Sequence, residues 1–278
     1  MGQRLREIRS EAGLTARDLA RRMGRHPSKI SRIEHGTTAP STADVRAWCD
    51  HCGALEQEAD LVASLRAAEG MYVEWRRLAR TGMRKLQEAR LPLYERTKLF
   101  RIYEPGWIPG LFQTPAYAAA LLRRFIAFDG VPDDLEQAVA ARMQRQRVLR
   151  AGDRRFAVVL EEWALRARTD DTEVMAAQLG HLIGAATLPS VSIGVIPMDV
   201  ERTMWAGAGF WLFDQECALV ETPAAALTVT QPRELAVYAR TFAELASMAV
   251  YGAAARLLIT KAIDALDVNH GAPPGGRP

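Results

Sequence analysis

The chain has 278 residues, 49% of them hydrophobic and 25% charged, with a formal net charge of +3. That length accommodates two domains, and that balance excludes a mainly disordered chain. So small a net charge does not by itself indicate a nucleic-acid binder, but its distribution is uneven. Residues 1–36 carry nine Arg and Lys against Glu7, Glu11, Asp18 and Glu34, whereas 37–69 hold only Arg46 and Arg66 against six acidic residues. A basic segment beside an acidic one fits a phosphate-facing surface in a near-neutral protein. No stretch approaches the ~18 apolar residues of a membrane span. The first residues lack the layout of a secretory signal, which reads as a cytoplasmic protein.

In chain order, Leu5 and Ile8 give a first helix its apolar face, and Gly13 ends it. Thr15 caps a second helix with Leu19, Ala20 and Met23 inward, closed by Gly24. Pro27 suits the first turn of a third, which carries Ile30 and Ile33 and stops at Gly36. Ser41 caps a fourth helix to about Cys52, and 55–69 reads as a fifth. Cys49-Asp50-His51-Cys52 looks like half a zinc site, but no second CxxC or His pair completes it. Val45, Trp48, Cys49 and Cys52 share one apolar stripe, so these thiols read as core and no metal is expected.

Residues 70–90 are basic and mixed, the pattern of a helical linker. The run Glu104-Pro105-Gly106-Trp107-Ile108-Pro109-Gly110 breaks any helix and reads as an ordered loop, after which Thr114-Pro115 opens a helix. A cationic helix follows over 136–150, and another helix over 174–186. Strands are expected at 156–160, 191–196, 209–213 and 218–221, then helix from 235 to 266 and a Gly/Pro-rich disordered tail from 267 to 278. The fold class is thus an all-α helix-turn-helix domain, residues 1–69, followed by an α+β domain, residues 91–266, with a small, largely antiparallel sheet.

The segment Gly13-Leu14-Thr15-Ala16-Arg17-Asp18-Leu19-Ala20, then Gly24, then Ser28-Lys29-Ile30-Ser31-Arg32-Ile33-Glu34-His35-Gly36 resembles the helix-turn-helix of the phage-repressor (XRE/Cro) class. Such a pair of helices lays the second in the DNA major groove while the first crosses the backbone. With Ile30 and Ile33 inward, the outer face is Pro27, Ser28, Lys29 and Arg32. Arg32 suits a bidentate contact to guanine and Ser28 a base edge, while Lys29, Thr15 and Arg17 suit phosphates. Ala16 and His26 depart from the class, which usually has a glutamine and a small capping residue there; His26 is kept as a DNA-side residue. The resemblance implies that Arg9 and Glu34 form a structural ion pair rather than a DNA contact.

Residues 91–266 resemble the regulatory domain of actinomycete WhiJ-like, antitoxin-like regulators. The matching pieces include 108–118 with its Pro-Gly-Leu-Phe-Gln-Thr-Pro core, Arg142-Met-Gln-Arg-Gln146, 158–165 and Gln178-Leu-Gly-His-Leu182. The resemblance implies a transcriptional regulator, often encoded beside a small partner protein, and no catalysis. Glu161, Glu162 and Glu221 at strand ends are the one arrangement that evokes hydrolysis. Pairing with Arg142, Arg145 or Arg147 accounts for them more simply, so neither catalytic residues nor a cofactor are expected. Trp107, Glu162, Trp211 and Glu221 are the candidate contacts for a protein partner or small effector. The reading is a homodimeric regulator that binds double-stranded DNA and acts as a repressor, or alternatively an antitoxin-like protein that neutralises a small partner and whose DNA binding is autoregulation.

Overall fold

The computed structural model describes residues 1–74 and 79–268. The chain divides into two units, Met1–Tyr72 and Val73–Pro278. The first holds five helices: α1 Gly2–Glu11, α2 Ala16–Arg22, α3 Pro27–Glu34, α4 Thr42–Cys52 and α5 Glu58–Met71. Local chemistry sets their ends. Thr15 and Ser41 each close a capping box, with Asp18 and Asp44 respectively three residues on, satisfying backbone N–H groups that the first turn leaves open. Gly53 ends α4 in the left-handed region at φ 67°. Leu5, Ile8, Leu19, Ile30, Ile33, Val45, Trp48 and Cys49 form the core, and the fully buried Trp48 satisfies its indole N–H on the Leu5 carbonyl at 2.9 Å. Gly2 is dictated by packing: a Cβ there would stand 2.3 Å from the Ile33 carbonyl oxygen.

The second unit is built on a mixed, open sheet. Its strands are β1 Tyr72–Glu74, β2 Leu99–Glu104, β3 Arg155–Glu161, β4 Val191–Ile196, β5 Phe210–Phe213, β6 Cys217–Glu221 and β7 Ala225–Val229, in the order β1-β7-β6-β5-β2-β3-β4. β2, β3 and β4 run parallel, while β2–β5, β5–β6 and β6–β7 pair antiparallel. The parallel pairs need long crossovers. α8 Pro115–Asp129 and α9 Leu135–Arg145 lie between β2 and β3, and α10 Glu162–Arg166 and α11 Thr172–Ala185 between β3 and β4. Phe100, Ile102, Phe156, Val158, Ile193 and Val195 fill the core, with Phe100 stacked on Phe156 at 4.7 Å between ring centroids.

Sequence patterning missed β2, the strand that joins the two halves of the sheet. Arg101 interrupts its apolar run; its guanidinium reaches out to the Asp214 carbonyl, which leaves Phe100, Ile102 and Tyr103 fully buried. The segment expected as a linker also holds structure of the second unit. α6 Met83–Ala89 is capped by Asp134, whose carboxylate accepts from the N–H groups of Met83 and Arg84 at 2.8 and 2.9 Å. Met83 and Leu86 then bury against Leu122, Ile126 and Ala138, and α7 Leu91–Arg96 follows directly. α12 Pro232–Met248 and α13 Gly252–Val268 complete the unit. The expected tail beyond 268 lies outside the described residues.

Candidate nucleic-acid interface and ligand pocket

In the first unit, α2 and α3 pack at a short turn over 23–26, with Ile30 and Ile33 buried and Ser28, Ser31 and Arg32 exposed. Of the expected DNA-side residues, Arg17 and Arg32 are exposed and make no ion pair or side-chain hydrogen bond among the described residues. The others are already engaged. Thr15 exchanges hydrogen bonds with Asp18 in its capping box. His26 is the cap of α3: its Nδ1 accepts from the Ser28 N–H at 3.3 Å and lies 2.8 Å from the Ser28 hydroxyl. A ring nitrogen thus does the work of the small oxygen-bearing residue usual at this position, and Pro27 follows in the first turn.

Lys29, expected at a phosphate, is engaged within the bundle. Its ammonium donates to Asp44 at 2.7 Å, and the Asp44 side chain is only 4% exposed. Burial alone would push the Asp44 carboxyl up, but the hydrogen bonds from Lys29 and Ser41 outweigh it and hold the group below its ordinary value. Arg9 and Glu34 join α1 to α3 by a bidentate pair, with Arg9 Nη2 donating to Glu34 at 3.0 Å and Nη1 to the Leu14 carbonyl at 2.6 Å. The Glu34 side chain is 4% exposed, so this pair holds the bundle and does not face outward. Cys49 is core, where burial raises its thiol.

The second unit brings together three of its four candidate residues. β6 is antiparallel to β5, and β5 to β2, so β2 and β6 end at the same edge and place Glu104 beside Glu221. Trp211 on β5 donates its indole N–H to Glu104 at 2.7 Å. Trp107, from the loop after β2, lies over the same space. Arg90, Arg142 and Arg145 surround the pair of glutamates, and Arg90 donates to Glu221 at 2.7 Å. Glu162 belongs elsewhere: it pairs with Arg166 and accepts from the Met198 N–H at 3.0 Å. Of the strand-end glutamates, Glu161 pairs with Arg202 and Tyr103 and Glu162 with Arg166 rather than with the expected arginines, whereas Glu221 hydrogen-bonds Arg90 and lies beside the expected Arg142 and Arg145.

Electrostatics divide the two glutamates. Burial, and then the Glu221 charge, push Glu104 up to about 8, so it is largely neutral at pH 7. Burial would raise Glu221 too, but Arg90 and the other two arginines hold it below its ordinary value. Sequence reasoning missed the arginines as site residues, although it had singled out 142–146. The same segment braces the loop: Gln146 donates to the Gly110 and Gln113 carbonyls at 3.0 and 2.7 Å, and Arg142 to the Gln113 side chain at 2.7 Å. Gly110 lies close under the same arginine, since a Cβ there would stand 3.1 Å from the Arg145 guanidinium.

A helix-turn-helix bundle followed by a mixed α+β domain defines the class of protein. Residues 1–62 match the description "Helix-turn-helix domain" and residues 93–261 match "Domain of unknown function (DUF5753)". The second match covers more than half of the chain, and the chain belongs to the DUF5753 family. No curated protein matches it. Among solved structures it is similar to TrmBL2, an archaeal chromatin protein whose structure is described as showing a novel mode of DNA binding. Identity there is 11% and the TM-score 0.34, with 82% of this chain and 72% of that one covered, an overlap too loose to carry fold or function. No helix among the described residues is long and apolar enough to cross a membrane, and none of their His, Cys, Asp and Glu side chains cluster in a group that would hold a metal ion.

Proposed function

We propose that the protein is a sequence-specific, dimeric DNA-binding regulator of transcription, acting as a repressor, whose second unit binds a protein partner or small effector. The observation that supports this most is the pair of exposed, unpaired cations Arg17 and Arg32 on the two helices of the helix-turn-helix, in a bundle whose Arg9 and Lys29 are held by carboxylates. Arg32, one turn beyond Ser28 on the exposed face of α3, is the base-reading side chain, and Arg17 on α2 is the phosphate contact. Both expectations narrow the DNA face to residues that are free to meet it. The test is titration of operator and random DNA at several salt concentrations. Arg32→Ala costs about 1–3 kcal/mol on the operator and relaxes preference at one base position. Unchanged affinity on operator DNA for both Arg32→Ala and Arg17→Ala overturns the reading.

A further inference from the structure

Between α6, α8, α9 and the end of β6 lies a cavity of about 310 Å³. Its walls are largely apolar, with Met83, Leu86, Trp107 and Phe125; Arg90, Arg142 and Glu221 form its polar end, and the Asp129 carboxylate also lines it. A smaller space of about 50 Å³ shares that polar end and leads inward to Arg145, Glu104 and Trp211. Charge at this end does not balance. Three guanidinium groups face one ionised glutamate, Glu221, which Arg90 already engages, while Glu104 is held largely neutral by its burial. Arg142 has two glutamine side chains as partners, Gln87 and Gln113, and no carboxylate. Burial pushes it down to about 9, still cationic at neutral pH.

Arg145 is the decisive group. It is 4% exposed, its guanidinium lies 4.7 Å from the centre of the Tyr94 ring, and its Nε and Nη1 have no hydrogen-bond partner among the described residues. Buried charged donors without an acceptor are costly, and a site that leaves them open next to an apolar cavity is short of one anion. The inner space suits a head of carboxylate size, given that a single water needs only ~10–15 Å³ on the same measure. A planar carboxylate also matches the guanidinium fork.

We propose that this cavity binds a small carboxylic acid with an apolar body, its carboxylate held by Arg142 and Arg145 and its body lying between Leu86, Trp107 and Phe125. The proposal deepens the effector reading of the second unit. It is tested on the full chain without DNA, so its failure leaves the DNA reading intact, and a failure of DNA binding leaves it standing. Decanoate, naphthoate and phenylbutyrate are titrated by calorimetry and tryptophan fluorescence, with decanol and decylamine as neutral and cationic counterparts. At least one acid binds saturably, and its neutral and cationic counterparts bind about tenfold or more weakly. Arg142→Gln weakens the acid, whereas Glu221→Gln, which removes the competing negative charge and keeps an acceptor for Arg90, tightens it. Damage to the fold would weaken both variants alike, so the opposite signs separate recognition from structure. Should Arg142→Gln fail to fold, the Glu221→Gln titration and the alcohol comparison decide. Absence of saturable binding by all three acids at millimolar concentration, equal binding of decanol, or weakened binding in Glu221→Gln overturns the proposal.

Discussion

At the scale of single residues, the helix-turn-helix separates cations that hold the bundle from cations left for a ligand. Lys29 and Arg32 are three residues apart on α3, yet Asp44 takes Lys29 and no side chain among the described residues takes Arg32. Lys29→Met therefore lowers stability by about 1–3 kcal/mol, the worth of a charged hydrogen bond to a nearly buried carboxylate, whereas Arg32→Ala leaves thermal unfolding unchanged. The sign with pH follows from Asp44. Its folded value is depressed, so its stabilisation is present above the unfolded value and is lost as pH falls through the folded one. The gap between wild type and Lys29→Met accordingly closes in acid, which unfolding scans from neutral to acid pH will show. Sequence alone placed the helices, caps and apolar positions of this unit because each depends on neighbours within a turn or two. It did not show the partner of Lys29, which lies fifteen residues on, in the capping box of another helix. The His26 cap was hidden for a related reason: histidine is a cap only where its ring is turned back on its own helix.

At the scale of elements, the loop from Trp107 to Pro115 was legible from its prolines and glycines, but what fixes it was not. Gln178, fully buried on α11, accepts from the Thr114 N–H at 2.7 Å and donates to the Phe112 carbonyl at 2.7 Å. Gln178→Leu orphans both backbone groups and costs about 1–3 kcal/mol for each, read as an earlier urea midpoint by tryptophan fluorescence. β2 escaped the sequence reading, and α6 was read as part of a helical linker, because their places are set by distant partners: Asp214 for the Arg101 of β2, Asp134 for the start of α6. The strand-end carboxylates show the same limit, since topology alone brings Glu104 to Glu221. That meeting has a pH consequence. Glu104 is raised to about 8 from an ordinary 4.5, so the folded unit keeps a proton that the unfolded chain releases. Its contribution is complete below the unfolded value and is lost as pH rises towards 8, facing Glu221, Arg90, Arg142 and Arg145 throughout. Glu104→Gln, which still offers an acceptor to Trp211, flattens the stability profile between about pH 5 and 8.

At the scale of the whole molecule, the second unit is almost three times the length of the first, which the proposed regulatory role must account for. A single helix-turn-helix reads only a few base pairs, so useful specificity requires two, and a two-fold dimer meets two inverted half-sites about 10 base pairs apart, centre to centre, or a multiple of that. Pairing alone needs no polar cavity. A cavity short of an anion supplies a second state, because filling it neutralises Arg142 and Arg145 and removes a cost carried by the empty form. For occupancy to alter transcription, the acid must bind the DNA-competent and incompetent forms unequally. A tenfold change in operator affinity needs only about 1.4 kcal/mol of coupling, less than the worth of one buried charged hydrogen bond. Linkage makes this reciprocal: if the acid weakens operator binding tenfold, operator DNA weakens acid binding tenfold. The full chain, titrated with operator in the presence and absence of saturating acid and with acid in the presence and absence of saturating operator, gives equal coupling from both directions. Glu221→Gln shifts the acid concentration at which the operator curve moves and leaves the size of that movement unchanged, since it alters the affinity of the cavity rather than the difference between the two forms. Coupling of zero from both directions, with acid and operator each bound tightly, makes the cavity independent of DNA occupancy and sinks this account of the second unit.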